Sequence, residues 1–188
     1  MHEAYSEMQK ATDSGDTDKY ETIRNKANAD MAIKAVRTGN FENAIDTLSD
    51  LKEMSPEEYE ATGAMSDEEK LNFQKNLDQS IKDFKQIGTL YGKYAKEVNE
   101  DVAAERARSE FLLSKLSNQR SDLINQAKTL ESTLQFKKDN GEDITNLPEY
   151  SEHQDLTDRI NKLSSGITDL NSHINILKDP KVADQYAR

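Results

Sequence analysis

Three histidines, His2, His153 and His173, are the side chains whose charge changes near neutral pH, so a search for acid–base or metal chemistry starts with them. His153 and His173 fall in one helical pattern but more than five turns apart, beyond the reach of a shared ion. No His-x-x-x-His or Glu-x-x-His pair occurs, and cysteine is absent, so thiolate ligands, disulfides and Cys nucleophiles are excluded. Two acidic groups could offer oxygens to calcium: Asp13, Asp16 and Asp18, then Asp139, Asn140, Glu142 and Asp143. Neither has the alternate-position ligands, central Gly and terminal Glu of a calcium loop, and helix capping and turn formation account for both. There is no phosphate-cradling Gly loop and no Gly-x-Ser-x-Gly elbow. The remaining carboxylates belong to solvated helix faces, where nothing raises a pKa toward neutrality for proton transfer. The expectation is a non-enzymatic protein with no catalytic residue, cofactor or metal.

The elements that carry these residues are helices. In Leu77, Ile81, Phe84, Gly88, Tyr91, Ala95, Val98 and Val102 the spacing alternates four and three, which keeps apolar groups on one seam. The pattern predicts a near-continuous helix from about Asp67 to Lys138, opened by the capping box Ser66-Asp67-Glu68-Glu69. A second run, Leu156, Ile160, Leu163, Ile167, Leu170, Ile174 and Leu177, has the same alternation. Between them, Lys138-Asp139-Asn140-Gly141-Glu142-Asp143 is a turn signal, and Pro148 suits a first helical turn. An antiparallel coiled-coil hairpin is therefore expected, with Ile144, Leu147 and Tyr150 closing its tip. The arm from Asp139 to Leu170 carries eight acidic residues against Arg159 and Lys162, which favours pairing with the less acidic first arm over pairing with itself.

Four polar residues interrupt the first seam: Glu105, Ser109, Gln119 and Gln126. Register drift, with Ala127 and Leu134 taking up the stripe one position later, is one account. The other is that these residues fix register or face a further chain. With Ile144, Leu147 and Tyr150, they are the candidate partner contacts.

Ahead of the spine, helices are expected from Met1 to about Ala11, from about Asp18 to Thr38 and from Phe41 to Met54. Gly88 and Gly92, one turn apart, offer bare patches where these helices can approach closely, helped by Phe84, Ile87, Tyr91 and Tyr94. The stretch Gly39-Asn40-Phe41-Glu42-Asn43-Ala44-Ile45, followed by Leu48, Leu51 and Ser55-Pro56, resembles the second half of a tetratricopeptide repeat. Ala32 fits the first half, whereas Asn28 stands where that family places a large apolar residue, and no second copy follows from Tyr59 to Gly92. The resemblance implies a helix–turn–helix and a peptide groove presenting Asn28, Lys34 and Asn43.

Composition narrows the rest. A net charge of −11 repels phosphate backbones, and the richest basic cluster, Arg106, Arg108, Lys115 and Arg120, is diluted by Glu105, Glu110 and Asp122, so no direct nucleic-acid contact is expected. No apolar run reaches membrane-spanning length, and a soluble, cytoplasmic protein, or one incorporated in a particle assembled there, is expected. The fold class is all-α: an N-terminal helical module over residues 1–65 packed on a long antiparallel coiled-coil hairpin with a short tail over residues 66–188. The function expected is that of a structural component of a multi-subunit complex or particle, such as a virion or secretion apparatus, with protein partners that include copies of itself. The alternative is an adaptor or chaperone that binds a partner peptide through the N-terminal module.

Overall fold

The structure, a computed structural model, describes residues 2–53, 67–179 and 181–182, with side chains from residue 6 and again from residue 71. It is all-helical, with no strand among the described residues. The described residues form six α-helices in order: α1 (His2–Asp13), α2 (Thr17–Arg37), α3 (Phe41–Lys52), α4 (Asp67–Tyr94), α5 (Glu100–Asp139) and α6 (Pro148–Leu177). A 3-10 turn, Ile144–Asn146, precedes α6. The capping residue Ser66 and the expected boundary between residues 65 and 66 lie outside the described residues. The chain forms two compact units that divide within α5, one built on Met1–Phe111 and the other on Leu112–Val182.

In the first unit, Asp16 caps α2 by accepting from the Lys19 amide at 3.0 Å. The helix stops at Gly39, whose φ of +71° is a conformation only glycine adopts without strain. The Asn40 amide then reaches back to the Ala35 carbonyl at 2.9 Å and the Gly39 amide to Val36 at 3.2 Å, so two terminal carbonyls are satisfied as the chain reverses into α3. This is the helix–turn–helix that the resemblance implied. The two helices splay beyond the turn: α4 packs along both α2 and α3, which touch each other little. Leu77, Phe84, Ile87, Tyr91 and Tyr94 form the buried side of α4. Gly88 is needed there, because a Cβ would lie 2.9 Å and 3.0 Å from Cε1 and Cε2 of the Phe41 ring and closer still to Cζ. Gly92 faces open space and is not part of the contact.

The near-continuous helix expected from about Asp67 to Lys138 is two helices, broken at residues 95–99. The Ala95 and Val98 amides still bond Tyr91 and Tyr94 carbonyls, at 2.8 Å and 3.0 Å, and the Asn99 side chain then accepts from the Val102 amide at 2.9 Å to start a new helix. Asn99 followed by Glu100 and Asp101 is a capping and acidic-first-turn signal that the seam spacing obscured. In one straight helix Tyr94 and Glu110 would stand about 24 Å apart. Here the Tyr94 hydroxyl donates to the Glu110 carboxylate, so the chain turns back on itself. Arg106 lies over the Tyr94 ring, 3.8 Å from its centroid, and pairs with Glu97 and Glu110 at 3.5 Å and 3.4 Å. Small, fully buried residues, Ala103 and Ala107, let this part of α5 sit close to its surroundings.

In the second unit the contacts between α5 and α6 run in antiparallel order. Leu116 lies against Gly166, Leu123, Ala127 and Leu130 pack with Leu156, Ile160 and Leu163, and Lys137 pairs with Glu149 at 2.6 Å. Gly141, at φ +84°, closes α5 before the reversal.

Candidate functional site

The splay of α2 and α3 over α4 leaves a groove of about 340 Å³ in the first unit, lined by Asn28, Met31, Ala35, Ala44, Thr47, Leu48, Ser80 and Phe84. Each lining residue follows from helical spacing. Asn28, Met31 and Ala35 recur at three and four along α2, Ala44, Thr47 and Leu48 do so along α3, and Ser80 and Phe84 stand one turn apart on α4. Met31, 38% exposed, is one of the few large apolar residues that the described surface leaves open.

The floor of the groove is tied down by polar bonds. Asn28 is buried and donates from Nδ2 to Asp83 Oδ2 at 3.2 Å and to Ser80 Oγ at 3.4 Å. Asp83, 1% exposed, also accepts from Gln79 Nε2 at 2.7 Å. A carboxylate so buried is costly unless hydrogen-bonded, and these amides meet that cost while pinning α2 to α4. Further clamps hold the walls: Lys52 to Asp78 at 2.7 Å between α3 and α4, Arg37 to Asp101 at 2.5 Å and Arg108 to Asp30 at 2.7 Å between α2 and α5. The arrangement suits the binding of apolar side chains. No proton-transfer pair lines it.

Of the residues the resemblance singled out, Asn28 lines the groove but is already bonded, and Lys34 and Asn43 are exposed without being part of the lining. Phe41 is spent on Gly88, while Leu48, only half-buried, remains on the groove wall. Ala44 and Leu48 belonged to the sequence motif and Phe84 to the seam expected to receive the N-terminal helices; Ser80 carried no signal.

The seven candidate contacts fall in both units. Glu105 is half-buried and ion-paired with Arg108, and Ser109 is 2% exposed, both in the first unit. In the second, Gln119 is half-buried and Gln126 exposed, whereas Ala127 and Leu134 are buried, as register drift requires. Ile144, Leu147 and Tyr150 are half-buried near the tip, where Phe136 stands 69% exposed. The acidic groups cap and turn: Asp143 accepts from the Thr145 amide and hydroxyl, which lowers its pKa, and Asp139 accepts from Gln135. Among the described residues no three acidic or histidine side chains converge on a metal position, and no helix is long and apolar enough to cross a membrane. Comparison with protein families, with curated proteins and with solved structures finds no match to this chain.

Proposed function

We propose that this protein is a non-enzymatic helical component of a protein assembly, and that it engages a partner protein through the groove between α2, α3 and α4. The observation that carries the reading is an open apolar recess whose helices are tied by a buried hydrogen bond and by solvent-exposed ion pairs instead of collapsing onto one another. A hydrophobic groove left unfilled in a chain with 32% charged residues loses the stabilisation its apolar atoms would gain on burial, and a partner's side chains restore it. The antiparallel α5–α6 pair, read as a coiled coil, serves as the structural arm of the same component.

Ala44→Trp tests this. The indole would fill the groove from the α3 wall, where space already exists, so helicity and thermal unfolding should change little. The wild-type chain should isolate from its native source with a stoichiometric protein partner that the variant lacks. Identical partners for both proteins, with the variant folded, would refute the groove as the contact.

A further inference from the structure

We infer that the groove takes an amphipathic helix whose two edges carry opposite charge; this deepens the function proposed above and rests on it. The backbone argument comes first. The polar groups at the floor are committed to each other, Asn28 to Ser80 and to Asp83, and the rest of the lining is apolar apart from Thr47. An extended peptide laid there would bury amides with no partner, at a cost of roughly 1–3 kcal/mol for each. Among the described residues there is no strand edge to pair with such a peptide. A helix arrives with its backbone bonds already made and presents side chains at i, i+3, i+4 and i+7, and about 340 Å³ accepts about two or three aliphatic groups.

The lips supply the second half of the argument. On α2, Lys34 is exposed one turn beyond Met31, while the Arg24 guanidinium is drawn to α4, where it donates to Asn76 at 3.4 Å. On α3, Asp50 is exposed one turn beyond Thr47. One lip is therefore cationic and the other anionic. A helix with its apolar face in the groove meets both at once, and it is favoured when its acidic edge lies along α2 and its basic edge along α3. Reversing the direction of a helix exchanges its edges, so this charge pattern fixes which way the occupant points. Overall, the −11 charge of the chain favours encounter with a net-basic partner.

The test uses the full chain and two synthetic sixteen-residue helical peptides (about four and a half turns) of identical composition. Both carry the same Leu face; one segregates Glu and Lys to opposite edges, the other mixes them on both. In fluorescence anisotropy the segregated peptide should bind about fivefold tighter at low salt, a ratio set by a few exposed pairs and lost as salt rises. A nitroxide on its N-terminus should broaden amide signals at one end of the groove only, near Asn40 or near Lys52. Lys34→Glu combined with Asp50→Lys should move the broadening to the other end. Equal affinity for the two peptides, broadening at both ends, or no response to the double substitution would overturn the inference. If neither peptide binds while Ala44→Trp still removes the native partner, the groove stands and the helical occupant falls. Competition between peptide and self-association of the chain would identify a second copy as the occupant and overturn it equally.

Discussion

Gly88 and Gly92 sit one turn apart on α4, and the structure assigns them opposite sensitivities. Replacing a helical glycine with alanine is worth up to about 1 kcal/mol through backbone entropy. At Gly92 the added methyl meets nothing within 4 Å, so Gly92→Ala should be neutral to stabilising by up to about 1 kcal/mol. At Gly88 the methyl would overlap the Phe41 ring, and moving an aromatic side chain anchored in a helix–helix contact costs about 1–3 kcal/mol. Set against the entropic gain, Gly88→Ala should destabilise by roughly 0–2 kcal/mol. Phe41→Leu removes the ring edge, so in that background Gly88→Ala should recover most of its gain, a coupling that a double-mutant cycle reads directly. Urea unfolding followed by circular dichroism supplies the free energies, and hydrogen exchange on α3 and α4 assigns them to the first unit. Gly88→Ala stabilising as much as Gly92→Ala, with no coupling to Phe41, would refute the packing of α3 on α4.

Other expectations follow from the same contacts. Asn28→Ala removes a donor from the buried Asp83 carboxylate and should cost about 1–3 kcal/mol in urea unfolding, whereas Asn43→Ala, exposed on α3, should cost almost nothing. Tyr94 has its ionisation pushed up to about 12 by burial, by its bond to Glu110 and by the nearby carboxylate charge. A raised folded-state value stabilises the protein below the ordinary tyrosine range near pH 10, and that contribution is lost as pH rises through about 12, so Tyr94→Phe should flatten the alkaline limb of stability between those values. At the tip, the Lys137 ammonium beside Glu149 and the Thr145 donors on Asp143 lower the two carboxyl values. Their contribution is present above the ordinary carboxylate range and lost as pH falls through the depressed values, so protection of the amides near residues 137–150, relative to their intrinsic exchange at each pH, should fall on acidification. Leu156→Ala, in the buried cluster with Leu123 and Ala127, should cost about 2–5 kcal/mol in the second unit, and a near-neutral result would remove that cluster as the unit's core.

The sequence by itself determined the helices, because the information for them is local. Spacing of three and four, glycine at positive φ after α2 and α5, and Pro148 at the start of α6 act within a few residues, and the bounds of α6 are those the apolar run predicted. The antiparallel order of the second unit was legible for the same reason: two apolar stripes separated by one turn have few other ways to bury themselves. What only the tertiary structure decided is where the chain turns at residues 95–99 and what lies over each bare patch. A seam continues through a break as readily as through a helix, so Ala95 and Val98 read as core although the turn leaves Ala95 exposed. Both Gly88 and Gly92 read as bare patches for docking, and only the position of Phe41 shows which of them is used. The resemblance implied a groove and named Asn28, but its floor and its size belong to this second class. Its volume is the gap between two helices that both pack on a third, and the buried bond at its floor, between Asn28 and Asp83, joins residues fifty-five positions apart. No local pattern encodes a distance of that kind, because it is set by packing among elements and not within one.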